Sequence, residues 1–565
     1  MNRRNSLLGL VGLTLVPLLL GPHDASAGGL FLPGSGAIST ARAGAAVAST
    51  DDGEALGINP AGLAKTRGTT ITISAAIISY ALEFTRSGTY DDLAGVARPF
   101  EGQAYAPVKN DPSPPLGIGS FQPVPVVAIV SDLGGRVAGL HVAAGLYAPN
   151  AYPFRDMTGG YTFNGDFDAA PPAARYDIMR QEAALLFPSL AVSYRVLPEL
   201  DIGARFSLGF ARLKSTVAVW GSPGNYEESI THDAEFAADA KDSFVPTWAI
   251  GAMYRPHPNI ELGFNFNWRA VLHAKGTATS LSGPDVSFNM QPTVIGPAAA
   301  DFTRCGTGGT FEEQRACIDL QLPMNAQLGG RYKFLDASGA MRGDIELNVG
   351  WENWGKRCAD NVAFSEGCTS PHQFRVVVDA AAYVDANGDG VLEESEIAIH
   401  LKDNQVDHRF KDTYSVRLGG SYHIPLGAAT DAGDAANKVI LRGGLGYDTR
   451  AAEQGWLRSD IDGAARTTAT VGASYRAQRW EVSIGGGAIL EGTNTNEGNC
   501  NPTPVTGNTQ PGCGPGDSQQ VIDEREGADP INPIVVPEQQ AESPVTQGTY
   551  KSHYVLFMLG FSTWF

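Results

Sequence analysis

The chain has 565 residues, 43% of them apolar and only 18% charged, with 67 glycines and a net charge of −19. Soluble domains carry more charge than this, so a string of three or four of them is a poor description of the length. The acidic balance leaves no cation excess for displacing counterions from nucleic acid, which excludes that partner class.

Residues 1–27 read as a signal peptide. Arg3 and Arg4 give the positive end, Leu7 to Leu20 the apolar core, and Ala25-Ser26-Ala27 the small-residue cleavage pattern. Beyond Ala27 no apolar run is long enough for a membrane helix. The mature chain is therefore expected to be exported and to cross any membrane as strands. Residues 28–68 are rich in Gly and Ala, nearly free of large side chains after Phe31, and include Asn59-Pro60-Ala61-Gly62. Such a segment is poor material for a separate domain and suits a compact plug inside something larger.

From residue 69 onward the dominant signal is alternation with period two. Ile260, Leu262, Phe264, Phe266 and Trp268 share one face, with Glu261, Gly263, Asn265 and Asn267 on the other. Leu200 to Phe210 repeats the pattern, and Arg212 ends that apolar run where the strand is expected to leave lipid. Fourteen segments are predicted: 69–87, 121–132, 136–148, 180–196, 199–218, 243–256, 259–279, 321–335, 341–354, 408–424, 437–450, 464–477, 479–491 and 549–565. In the first, the apolar phase changes from Ile71, Ile73 and Ile77 to Ile78, Tyr80, Leu82 and Phe84, which predicts a bulge near residues 76–78. Short turns alternate with long loops at 88–120, 149–179, 219–242, 280–320, 355–407, 451–463 and 492–548. Tight turns on one side and large loops on the other describe an all-β, transmembrane antiparallel barrel of about fourteen strands in a Gram-negative outer membrane. The chain closes on Val555, Phe557, Leu559 and Phe561 in one phase and a final Phe565, a strand that only closure and lipid make safe.

Six cysteines form three local pairs, Cys305 with Cys317, Cys358 with Cys368 and Cys500 with Cys513, all placed in the long loops and expected to be disulfides. Within loop 355–407 the run Asp385 to Glu396 fits the twelve-residue calcium loop. Asp385, Asn387 and Asp389 supply oxygens, Gly390 the turn, Val391 its carbonyl, Glu393 a contact through water and Glu396 the closing carboxylate. A structural Ca²⁺ is the expectation, against a plain acidic turn. No Gly-x-Ser-x-Gly or His-Glu-x-x-His pattern marks catalysis, and the chain is not read as an enzyme.

Ser39-Thr40-Ala41-Arg42-Ala43-Gly44-Ala45-Ala46 followed by Asn59-Pro60-Ala61-Gly62 resembles the N-terminal hatch of the FadL/TodX family of outer-membrane transporters. Weaker likeness lies in Gly145 to Pro149, Pro188 to Ala191 and Asp412 to Gly419. The resemblance implies passive uptake of hydrophobic solutes, long-chain fatty acids or aromatic hydrocarbons, with outer-membrane lipid as the other partner. It also implies a pocket beside the hatch and a sideways exit at a kinked third strand, for which Gly139 and Gly145 are the candidates. The competing readings are a structural or adhesive barrel with disulfide-tied loops and an outer-membrane lipid hydrolase.

Overall fold

The computed structural model describes residues 29–93, 95, 97–163, 165–221, 228–355, 373–401, 404–408, 410–429, 435–452, 455–461, 463–496 and 545–565. The signal-peptide reading, Cys358 with Cys368 and Cys500 with Cys513 lie outside these residues.

Fourteen antiparallel strands close a barrel. They are β1 (Thr69–Arg86), β2 (Gln122–Ser131), β3 (Leu140–Tyr147), β4 (Arg180–Leu197), β5 (Leu200–Trp220), β6 (Asp233–His257) and β7 (Ile260–Asn267). The second half comprises β8 (Asn325–Leu335), β9 (Met341–Glu352), β10 (Thr413–Ala429), β11 (Ala435–Asp448), β12 (Arg466–Arg476), β13 (Trp480–Asn496) and β14 (Gly548–Trp564). Each pairs with its sequence neighbours, and β14 returns to β1 in an unbroken register from Thr70 opposite Trp564 to Arg86 opposite Gly548. Pairing the last strand with the first removes the two terminal edges, which a lipid-embedded sheet requires. The outward phase is apolar and exposed, as at Leu190, Phe206, Leu328, Leu445 and Leu559. Among the described residues no helix is long and apolar enough to cross a membrane.

The bulge expected in β1 is absent. Its ladders with β14 and β2 run without a register shift, and every even residue from Thr70 to Arg86 is buried. What changes is the lumen. Thr70, Thr72 and Ser74 face the polar N-terminal segment, whereas Ile78, Tyr80, Leu82 and Phe84 face an aromatic filling in which Tyr80 stacks on Tyr554 at 4.3 Å.

The long loops also hold more structure than alternation revealed. Above the lipid band β5 and β6 continue past the apolar run, and Arg212 pairs with Asp239 on the outer surface at 2.5 Å. Strands Ala270–Ser282, Gln314–Leu322 and Gln373–Tyr383 extend that part of the wall upward. Cys317 therefore sits in a strand, not a loop, and is joined to Cys305 by a disulfide. Loop 451–463, expected outside, is buried at Trp456, Leu457, Arg458 and Ile461.

Candidate functional site

The described N-terminal residues, 29–68, lie inside the barrel. Asn59 is fully buried and caps the short helix Pro60–Lys65 by accepting from Ala61 N at 3.1 Å. Its amide donates to Val47 O at 2.8 Å and to Ala252 O of β6 at 3.3 Å. Two wall glycines make this seat possible: a Cβ on Gly251 would overlap the Asn59 side chain, and one on Gly203 would overlap the Pro60–Ala61 peptide. Ser193 donates to Ala61 O at 3.1 Å, and Gly62 packs against Thr50. The four motif residues thus sit together against β4, β5 and β6.

Below this seat the lumen is ionic. Arg42 reaches Asp344 at 2.8 Å and Glu346 at 3.2 Å; Arg331 bridges Asp344 and Glu261, and Lys65 meets Glu261 at 3.3 Å. Asp344 and Glu346 occupy the polar phase of β9, opposite Ile345 and Leu347. Alternation in the sequence separates this polar phase from Ile345 and Leu347, but the partners only meet once the segment is threaded through the barrel.

Beside the segment lies a cavity of about 120 Å³. Phe31, Leu32, Ile58, Tyr147, Phe187 and Leu322 give it apolar walls, while Arg205, Arg417, Asn265 and Glu352 add polar ones. Arg205 is the distinctive group. It is 4% exposed, donates to Leu56 O and to Asn267 Oδ1 at 2.8 Å, and stands 4.6 Å over the ring of Tyr147. Its Nε has no partner, and among the described residues no carboxylate lies in ion-pair distance of it. A buried, uncompensated cation is costly. Arg417, by contrast, is paired with Asp448 at 2.7 Å, and Glu352 accepts from Trp354 Nε1 at 2.7 Å. Sequence reasoning placed Arg205 on the polar face of β5 but gave it no role; a lone arginine among Gly203, Ser207 and Gly209 was the available signal.

Gly139 and Gly145 do not kink a ladder. Gly139 precedes β3 in a left-handed turn (φ 76°), and β3 pairs without a register shift with β2 over Val142–Tyr147 and with β4 over Leu140–Tyr147. Gly145 instead leaves room for Leu56 of the segment. β3 simply stops at Tyr147.

The calcium loop is the tip of a hairpin, because Gln373–Tyr383 pairs with Ile397–His400. Gly388 and Gly390 adopt positive φ of 75° and 78°. Asp385 accepts from Gly388 N at 2.7 Å and Gly390 N at 3.0 Å, Asn387 from Asp389 N and Asp389 from Val391 N, both at 2.8 Å. Glu396 folds back to Ala386 N at 3.2 Å, and Glu393 caps the short helix that carries it. The turn chemistry fits a cation loop, yet among the described residues no three Asp, Glu, His or Cys side chains converge as a metal cluster.

A Ser–His contact exists inside the barrel, Ser421 with His423 at 3.1 Å. Ser421 however donates to Asp344, and His423 Nδ1 has no partner, so the orienting acid of a triad is missing.

The model of the family described as outer membrane protein transport protein (OMPP1/FadL/TodX) matches residues 18–489. No curated protein sequence matches the chain. Among solved structures, a Pseudomonas aeruginosa FadL homologue is similar with 13% identity and a TM-score of 0.60 over 95% of this chain and 99% of that one. The Ralstonia pickettii toluene transporter TbuX (13%, TM-score 0.55) and the P. putida toluene transporter TodX (14%, TM-score 0.53) each match 94% of this chain and 99% of their own. At such identities the likeness establishes the fold. The family match, the fourteen-stranded closure and the apolar outer band together make the chain an outer-membrane β-barrel that belongs to the OMPP1/FadL/TodX family.

Proposed function

We propose that this protein is a passive conduit for hydrophobic solutes across the outer membrane, and that long-chain fatty acids are its solutes. TbuX and TodX are toluene transporters. The observation that favours a fatty acid over an uncharged aromatic here is Arg205, a buried guanidinium with a free Nε beside a cavity of mixed apolar and polar walls and no carboxylate of its own. A ligand carboxylate supplies the missing counter-ion through charge-assisted hydrogen bonds, while its chain lies against Phe31, Ile58 and Phe187. Burying that chain is favourable at about 25 cal/mol per Å², so a sideways exit into lipid is preferred to an aqueous bore. β3 is short enough to leave such an exit beside Tyr147 and Phe187. The residues 28–68 act as the hatch. Conduction, not catalysis, is the activity; an adhesive barrel has no use for an uncompensated arginine at a cavity.

Binding of a long-chain fatty acid and of its methyl ester to purified protein tests the reading. The acid binds more tightly to wild type, and Arg205→Gln removes the preference. Equal binding of acid and ester to wild type would contradict it.

We also propose that Ca²⁺ binds at 385–396, held by Asp385, Asn387, Asp389, Glu396 and the Val391 carbonyl, with Glu393 acting through water. The supporting features are the full template match and the two positive-φ glycines at the hairpin tip. The ion would act as a structural clip for this loop.

A further inference from the structure

Just above the cavity the wall lacks strand pairing. β2 begins at Gln122, opposite Ile78 halfway along β1, and β3 ends at Tyr147 opposite Phe187 of β4. Higher up the sheet resumes: Val108 and Lys109 join β1 at Phe84 and Glu83, and Arg155 and Asp156 join β4 at Gln181 and Arg180. Between these levels β1 and β4 have no barrel strand between them. The edge of β2 facing the opening carries no donors. Pro125 O accepts from Ala148 N at 3.0 Å, so residue 125 and its in-phase neighbour Pro123 present ring nitrogens to that side, where neither can pair with a strand.

Residues 112–121 occupy the opening as two successive tight turns. Gly117 N donates to Pro114 O at 2.9 Å, and Ile118 and Phe121 exchange backbone hydrogen bonds at 3.0 and 3.2 Å. On the lumen side Ser120 O accepts from the hydroxyl of buried Tyr152. Laterally the hydroxyls of Ser120 and Ser79 meet at 2.8 Å. Outside, Phe121 lies 5.5 Å from Phe557, a member of the lipid-facing band. Leu116 and Ile118 are 77% and 87% exposed and prolong that band.

We propose that segment 112–121 is a bilayer-facing flap that closes a window in the barrel wall, with acyl chains packed on Leu116 and Ile118, and that its outward swing releases the solute. The proposal rests on the conduit reading above. Side-chain contacts and one carbonyl seat the flap, and no ladder does, so it moves without unzipping the barrel. Asn110, which accepts from Asp156 N at 2.8 Å while its own N donates to Leu82 O at 2.8 Å, holds the hinge. The cavity-lining pair Tyr147 and Phe187, stacked at 5.5 Å, lies at the window's lower rim.

The test locks the flap with Ser79→Cys and Ser120→Cys in protein reconstituted into phosphatidylcholine vesicles, assayed with a long-chain fatty acid. Wild type treated with the same oxidant and reductant controls for the native Cys305–Cys317 bond. Oxidation of the variant lowers uptake at least tenfold, leaves fatty-acid binding unchanged, and is reversed by reduction. A cross-linked variant that transports at the wild-type rate overturns the flap alone; wild type that carries no fatty acid overturns the conduit reading as well. A nitroxide at Ile118→Cys is relaxed by oxygen and not by an aqueous nickel chelate, and the opposite pattern overturns the lipid contact.

Discussion

The guanidinium of Arg205 lies 4.6 Å over the ring of Tyr147, and that ring in turn stacks on Phe187 at 5.5 Å. One aromatic surface therefore orients the uncompensated cation and closes the cavity. Tyr147→Leu removes a cation–π contact worth about 0.5–2 kcal/mol. Fatty-acid affinity, read by calorimetry, falls about 2–30-fold, less than in Arg205→Gln, and the affinity for the methyl ester changes little. Equal losses for acid and ester would show that Tyr147 acts by shape alone.

The Asn59 seat is tight enough to be broken from either side. Asn59→Ala strands Val47 O and Ala61 N, each unsatisfied group costing about 1–3 kcal/mol. Gly251→Val reaches the same end from the wall by overlapping the Asn59 side chain. In both variants residues 45–65 become accessible to added protease in otherwise folded barrels, and fatty-acid uptake is strongly reduced. Protection equal to wild type would remove the seat from the account.

At the outer end Glu228 ties together three loops. It pairs with Arg86 and with Arg175 at 3.2 Å, accepts from Tyr105 at 3.2 Å, and its N donates to Asp91 at 2.6 Å. Burial opposes ionisation of Glu228, but the two arginines outweigh it and hold the carboxyl below its usual range. With a depressed pKa, its contribution is complete above the unfolded value of about 4.3 and is lost as the pH falls below that. Protection of the amides around 228–232, relative to their intrinsic exchange at each pH, therefore stays high near pH 6 and falls below pH about 4. Glu228→Gln shows the low protection at both. Removing one partner of a buried pair costs about 3–5 kcal/mol.

Calorimetry with Ca²⁺ on the purified barrel gives a single binding event that Glu396→Gln abolishes and Cys305→Ser with Cys317→Ser preserves. No heat in wild type, in a buffer free of competing chelator, would dismiss the cation and leave an acidic turn.

The barrel itself was legible because lipid outside and packed lumen inside impose period two on almost every strand, and because the final strand from Tyr554 to Trp564 needs closure to be tolerable. The N-terminal segment was legible from its small residues and Asn59-Pro60. Other features were hidden for identifiable reasons. The phase change at Ile78 reflects a lumen that turns from polar to aromatic, which alternation alone cannot distinguish from a flipped face. Strand Gln373–Tyr383 reads Val-Val-Val and Ala-Ala-Ala because it stands above lipid, where no apolar outer phase is required. Loop 451–463 reads as one of the long outer connections because short turns alternate with long ones; its burial depends on partners distant in the chain, Arg458 being matched by Asp177 at 2.6 Å and Asp460 by His408 at 2.8 Å. Arg205 was visible as a residue, but its lack of a carboxylate is a property of the assembled cavity.

The most direct measurement is the position of a terminally brominated long-chain fatty acid in crystals of the protein. The account places the carboxylate within hydrogen-bond distance of Arg205 Nε and the chain in the cavity bounded by Phe31, Ile58 and Phe187. Bromine signal confined to the outer lipid band, with the cavity holding water alone, would contradict it.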